Sequence, residues 1–132
     1  TTEIYPLSLH DALPIYNQGY VVECTGDNIF IIKNGIIYTP PTYLGALEGI
    51  TRNAIIDIAR REGYTVKEEP FSLHEVYIAD EVFLTGTAAE CIAVREVDSR
   101  IIGEGKAGPI TTHLLEEFRK VVDKDGVKVN YD

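Results

Sequence analysis

A mixed α/β arrangement of the α+β class, in one domain, is predicted by three features of this 132-residue sequence. Short apolar runs of strand length recur, among them Ile29 to Ile32 and Glu81 to Leu84. Two longer stretches, after Gly49 and after Pro109, carry apolar residues at helical spacing. The two kinds of segment interleave along the chain without a regular βαβ repeat.

Taken in order, Tyr20 to Glu23 reads as a short strand. Ile29 to Ile32 is continuously apolar, as expected of a strand covered on both faces. Asn34-Gly35, between this run and Ile36-Ile37-Tyr38, signals a hairpin, because Asn and Gly tolerate the positive φ angles of a two-residue type I′ turn. Thr39-Pro40-Pro41 breaks the sheet, and a loop runs to Gly49. The helix that follows is expected to bury Ile50, Ala54, Ile58 and Ala59, with Gly63 as its left-handed C-terminal cap. Thr65 to Glu69 alternates as a strand that Pro70 stops. Ser72-Leu73-His74-Glu75 has the Ser-x-x-Glu form of a capping box and opens a short helix through Ala79. Glu81 to Leu84 is another buried strand, closed by the small residues Thr85-Gly86-Thr87-Ala88. Ile92 to Val97 and Ile101-Ile102 make a second hairpin about Asp98-Ser99. The last helix starts near Pro109, buries Ile110, Leu114, Phe118, Val121 and Val122, and ends at Gly126.

Twelve basic residues against twenty-one acidic ones leave a net charge of −9. That balance repels phosphate backbones and anionic headgroups, so neither nucleic acid nor a membrane is an expected partner. No apolar run approaches the roughly 20 residues of a bilayer span and no basic-then-apolar leader opens the chain, which predicts a cytoplasmic protein. Cys24 and Cys91 lack paired spacing and read as free thiols. There is no Met, and the chain opens with Thr1. Leu7 to Ile15 reproduces the translation of a common sequencing adapter, so residues 1–15 are expected to be wholly or largely non-native and residues 16–132 to form the domain.

The histidines read as isolated. His10 lies in the leading segment, while His74 and His113 fall in helix patterns with no Cys, Asp or second His at ligand spacing, so no metal centre is expected. Glu116, Glu117 and Lys124 to Lys128 read as solvated helix-end charges. Three other segments point to chemistry. Glu23-Cys24-Thr25-Gly26-Asp27-Asn28 sets an acid at a strand end, from which its carboxylate could project into a cleft. Leu47-Glu48-Gly49-Ile50-Thr51-Arg52 puts a glycine and a hydroxyl at a helix start, where unpaired N–H groups and the helix dipole favour an anion by about 0.3–1 kcal/mol. Ala54 stands three positions after Thr51, so no reciprocal capping box fills that start. Thr85-Gly86-Thr87-Ala88-Ala89-Glu90 lets backbone and hydroxyls approach a second anionic group.

In order and spacing, these segments resemble the C-terminal domain of the branched-chain amino acid aminotransferases, which are class IV, fold-type IV pyridoxal-phosphate enzymes. The matching blocks are Glu23 with Gly26-Asp27-Asn28-Ile29-Phe30, Tyr38-Thr39-Pro40-Pro41, Gly49-Ile50-Thr51-Arg52, Ala79-Asp80-Glu81-Val82-Phe83, Gly86-Thr87-Ala88-Ala89-Glu90 and Gly105-Lys106-x-Gly108-Pro109. They span nearly everything from Asn17 to Val129. The resemblance implies a truncated C-terminal pseudo-barrel with some strand edges open, the family's N-terminal domain being missing. It also implies pyridoxal 5′-phosphate as cofactor and a parent enzyme that is a homodimer or higher homo-oligomer. By the same resemblance Glu23 faces the pyridine nitrogen and holds it protonated. Leu47 packs on the ring. Gly49, Ile50 and Thr51 bind the 5′-phosphate, and Gly86 and Thr87 add further contacts. The amides of Thr87 and Ala88 receive the substrate carboxylate.

The implied reaction moves the amino group of leucine, isoleucine or valine to 2-oxoglutarate, so the partners are small-molecule amino acids and 2-oxo acids. In the family, the lysine that carries the cofactor precedes the segment matching Glu23. None of Lys33, Lys67, Lys106, Lys120, Lys124 or Lys128 lies in a matching motif, so no catalytic residue is assigned and the chain alone is expected to be inactive. A D-amino acid aminotransferase or aminodeoxychorismate lyase would share the acid and the phosphate logic. The blocks Gly49 to Arg52 and Gly86 to Glu90 favour the branched-chain enzyme. A non-catalytic phosphate-ligand binder, and a remnant that binds nothing, are the readings from other classes.

Overall fold

The computed structural model describes residues 7–9, 20–21, 28–41, 49–86, 91–97 and 99–124. In chain order the elements are β1 (Leu7–Leu9), β2 (Tyr20–Val21), β3 (Asn28–Lys33), β4 (Ile36–Thr39), α1 (Ile50–Arg61), β5 (Thr65–Glu68), β6 (Phe71–Ser72), α2 (Leu73–Tyr77), β7 (Glu81–Thr85), β8 (Cys91–Val97), β9 (Arg100–Ile101) and α3 (Pro109–Lys124). The mixed α+β class is as expected.

The hairpin β3–β4 forms on Asn34-Gly35, whose φ angles of 52° and 77° are those of a type I′ turn, with Lys33 paired to Ile36. The Asp80 carboxylate fastens this turn from across the sheet, accepting the Asn34 amide at 2.9 Å. On its other side β3 pairs antiparallel with β7, and β7 with β8. From β4 the chain crosses over through α1 and returns as β5, parallel to β4. Among the described residues the strand order is β1-β8-β7-β3-β4-β5, with β9 on β8, and β2 and β6 form a separate pair. The leading segment contributes β1, which runs parallel to β8. Among the described residues the path is open, and its end strand β5 exposes Lys67 and Glu68, charges that discourage further pairing.

Both faces of the sheet are covered because alternate residues of β3 enter different clusters. Ile29 and Ile31 pack with Phe71, Val76, Ala79 and Val82. Phe30 and Ile32 pack with Ile55 and Ala59 of α1, Phe83 of β7, and Leu114 and Phe118 of α3. The Phe30 and Phe83 rings stack with centroids 4.7 Å apart. Each such side chain contributes about 1.5–3 kcal/mol by leaving water, so the sheet, clamped between two apolar layers, is the rigid base of the molecule.

The expected face of α1 is right at Ile58 and Ala59, which are buried, and in part at Ala54, but wrong at Ile50. Ile50 is 65% exposed, and the buried residues of α1 are Thr51, Arg52, Ile55, Ile56, Ile58 and Ala59. The apolar pattern misleads there because the buried positions of the first turn are polar. The end of α1 is as expected: Gly63 has φ +92°, the Tyr64 amide reaches the Ala59 carbonyl and the Gly63 amide the Arg60 carbonyl, a Schellman closure. The Ser72–Glu75 capping box is formed. On α3, Leu114 and Phe118 are buried, Ile110 and Val121 partly so. The burial of Val122 and the expected stop at Gly126 lie outside the described residues.

Candidate anion site at the start of helix α1

An α-helix leaves its first amides without intrahelical partners. The first backbone bond of α1 runs from the Asn53 amide to the Gly49 carbonyl at 3.0 Å, so the amides of Ile50, Thr51 and Arg52 precede the ladder. Gly49 is the N-cap and supplies no side chain to them. The Thr51 hydroxyl is buried and has no hydrogen-bond partner among the described residues. A buried hydroxyl is a costly group to leave unpaired. Beside unpaired amides at a helix start, it is a donor set suited to a phosphate or carboxylate.

Two further residues converge on this place. Asn28, at the start of β3, pairs with Thr85, at the end of β7. A Cβ on Gly49 would lie 2.9 Å from Asn28 Oδ1, so the start of α1, the start of β3 and the end of β7 meet at one end of the sheet. The Thr85 hydroxyl is, like that of Thr51, buried without a partner among the described residues. Opposite Thr85 on β8 stands Cys91, whose thiol burial pushes far above the usual thiol range, so it is neutral there.

Arg52 holds the first turn in place. Its side chain is 2% exposed, yet its Nη2 donates to the Pro40 carbonyl at 3.1 Å and to Glu68 Oε1 at 2.8 Å, while Nη1 reaches Asn53 Oδ1 at 3.0 Å. The neighbouring Thr39 hydroxyl donates to the Ile29 carbonyl at 2.8 Å. Residues 39–40 are thereby tied both to β3 and to α1. The start of α3 is built differently: the Glu81 carboxylate, 8% exposed, accepts the Ile110 and Thr111 amides at 3.2 and 2.8 Å. One helix start is thus filled by a carboxylate of the chain, while that of α1 has no side-chain cap among the described residues.

Of the residues expected to form a site, the structure brings Gly49, Ile50 and Thr51 together on α1 and places Gly86 directly after Thr85, at the same end of the sheet. Glu23, Leu47, Thr87 and Ala88 lie outside the described residues. Sequence reasoning did not single out Asn28, Thr85 or Arg52 individually. The strand-end positions of the first two were the available signal. The readings of His113 as isolated and Glu117 as merely solvated need correction: His113 contacts Glu62 and Tyr64, and Glu117 is paired with Arg61 and Lys120. Their partners come from a distant part of the chain, or from helical spacing that a search for Cys, Asp and His passes over.

Among the described residues no helix is long and apolar enough to cross a membrane. The family described as amino-transferase class IV matches residues 7–97. A protein of Methanocaldococcus jannaschii is 51% identical over 122 residues, 92% of this chain and 42% of that protein. The branched-chain-amino-acid aminotransferase of Pseudomonas aeruginosa is 48% identical over 112 residues, 85% of this chain and 36% of that protein. Among solved structures, the branched-chain amino acid aminotransferase of Escherichia coli superposes with a TM-score of 0.80 at 43% identity, covering 83% of this chain and 37% of that one. A second branched-chain amino acid aminotransferase, complexed with N-(5′-phosphopyridoxyl)-L-glutamate, gives a TM-score of 0.80 at 42% identity over 85% of this chain and 37% of that one. The chain spans about two-fifths of the length of the curated relatives it matches.

Proposed function

Because the chain belongs to the amino-transferase class IV family, we propose that it is the cofactor-cradling part of a pyridoxal-phosphate-dependent branched-chain-amino-acid transaminase. The observation that carries this is the buried, unpaired Thr51 hydroxyl at the start of α1. The residues present fit the group: the unpartnered Thr51 hydroxyl and the first-turn amides, which precede the helical ladder, suit its phosphate, and Gly49 leaves room beside Asn28. When bound, pyridoxal phosphate supplies an electron sink for the carbanion formed at the amino acid's α-carbon.

The chain's own residues anchor and orient. The amides of the first turn of α1 and the Thr51 hydroxyl hold the 5′-phosphate, with Gly86 and Thr87 as further contacts. Glu23 holds a proton at the pyridine nitrogen, since a facing carboxylate favours the charged ring. Leu47 covers one ring face. The amides of Thr87 and Ala88 receive the substrate carboxylate. Substrates are leucine, isoleucine or valine and 2-oxoglutarate, acted on in the cytoplasm by a homo-oligomeric parent. No lysine of this chain lies in a matching motif, so the 132-residue chain alone turns over no substrate. Residues 1–15 are read as wholly or largely non-native, a reading against which the family match from residue 7 stands and which resequencing of the source DNA tests.

Titrating the chain with pyridoxal phosphate and with inorganic phosphate, by protein NMR or calorimetry, tests the cradle. Thr51→Val is expected to weaken both by about ten- to a hundredfold, the value of one hydrogen bond to a charged group, and Thr51→Ser to retain affinity. Equal affinity in Thr51→Val overturns the assignment. On the full-length gene, preference for D-alanine over leucine would instead place the parent among the sister activities.

A further inference from the structure

At the other end of α1 a second group of side chains assembles that the aminotransferase reading does not use. Glu62 is the C-cap of α1, and the Schellman turn at Gly63 delivers Tyr64 directly after it. His113 and Glu117, four apart, share a face of α3, the helix packed beside α1. His113 Nε2 lies 3.2 Å from Glu62 Oε1, and one ligand atom from each of Glu62, His113 and Glu117 can be chosen so that all three lie within 4.8 Å of one another. The other imidazole nitrogen is held separately: His113 Nδ1 is 2.6 Å from the Tyr64 hydroxyl, with the rings edge to face.

We propose that Glu62, His113 and Glu117 bind a divalent transition-metal ion of the zinc class, with Tyr64 orienting the histidine. The donor set decides the class. One imidazole and two carboxylates suit zinc, whereas calcium and magnesium are held by oxygen ligands. A ligating histidine characteristically donates its second ring N–H to a fixed acceptor. Here the acceptor is the Tyr64 oxygen: with Nε2 on the ion, the Nδ1–H donates to the Tyr64 hydroxyl 2.6 Å away. Tyr64 is the hydrogen-bond partner of the ring and is not one of the three ligands. All three ligands are partly open to solvent, so water completes the coordination.

Two cations now occupy the carboxylates. Lys120 Nζ is 2.8 Å from Glu117 Oε2, and Arg61 reaches Glu117 Oε1 at 3.6 Å and Glu62 Oε2 at 3.4 Å. Their side chains are 71% and 54% exposed and can swing into water as the ion enters. They compete with the metal, so the site is micromolar, tighter if a competitor is removed. A bound ion joins the end of α1 to α3 without touching the anion site at the other end of α1.

The test is calorimetric titration of the 132-residue chain with zinc chloride, with cobalt(II) absorption as a report of coordination. One ion per chain is expected, with a dissociation constant of about 1–50 μM, a range typical of neither a buried zinc finger nor a nonspecific surface. Zinc at about a hundred times that concentration raises the melting temperature by about 5–10 °C. His113→Ala and Glu117→Gln each weaken binding at least about tenfold, Tyr64→Phe weakens it about tenfold through the lost orientation, and Lys120→Gln tightens it. His74→Ala changes nothing. Absence of saturable binding below about 1 mM, or binding unchanged in both His113→Ala and Glu117→Gln, overturns the proposal. Circular dichroism confirms that each variant is folded, and Glu117→Gln, altering a partly exposed side chain, keeps the test decisive if His113→Ala does not fold.

Discussion

The carboxylate of Glu81 accepts the backbone amide of Thr111 at 2.8 Å, and so a residue at the beginning of β7 caps a helix 30 positions later in the chain. The same carboxylate takes the Ile110 amide, and the negative charge faces the positive end of the α3 dipole. Gly108 is required beside it because a Cβ there would overlap the Glu81 carboxyl group. Glu81→Ala is expected to cost about 2–4 kcal/mol, two charge-assisted bonds to amides that then stay unpaired, and Glu81→Gln about half of that. Gly108→Ala should fall in the same range through displacement of the cap. Urea midpoints of the three variants check the order.

Glu68 is 40% exposed, a position where substitution ordinarily costs little, yet it neutralises the buried Arg52. Glu68→Ala leaves that guanidinium with the Pro40 carbonyl and the Asn53 side chain. Solvent screening at the Glu68 end reduces the cost from the several kcal/mol of a fully buried pair, so we expect about 2–3 kcal/mol. The double variant Arg52→Met with Glu68→Ala should be less destabilised than the sum of the singles, as a thermal-denaturation cycle would show.

Thr51→Val replaces an unpaired buried hydroxyl with a methyl group of similar shape. The ligand-free chain is expected to be unchanged or more stable by up to about 1 kcal/mol, because the desolvated hydroxyl disappears. A loss of more than that in the melting curve would mean that the hydroxyl has a structural partner. Combined with the affinity loss expected above, the variant separates binding from folding.

The Cys91 thiol is held protonated by burial. In a Cys24→Ser background, where it is the one remaining thiol, alkylation by iodoacetamide at pH 8 should run at least about tenfold slower than for an exposed cysteine. The sign follows from the raised value: thiolate appears only as the pH climbs beyond the usual thiol range, so reactivity rises there and not near neutrality. Denaturation should restore ordinary reactivity, which mass spectrometry reads directly.

What could be read from the sequence shares one property, short range. The Asn34-Gly35 turn and the Ser72–Glu75 capping box are each decided within four residues, and both appear as expected. The Gly49 to Thr51 start of α1 was visible for the same reason. Arg52 finds its partner in Glu68, 16 residues away, and Tyr64 meets His113 across 49. Those distances are set by the order in which strands are laid into the sheet, which no local pattern encodes. Ile50 shows the converse error, an apolar side chain in good helical phase that is exposed because polar residues occupy the buried side of its turn.

The placement of β7 against β3, Phe83 beside Phe30, has a consequence during synthesis. The β3–β4 hairpin leaves the ribosome with one flank of its central strand unpaired until roughly fifty more residues have been made, an interval of about 3–10 s at ordinary translation rates. For those seconds an apolar ribbon stands ready to pair with any nascent neighbour. Crowded polysomes, rather than the finished molecule, are therefore where this chain is most exposed to mispairing.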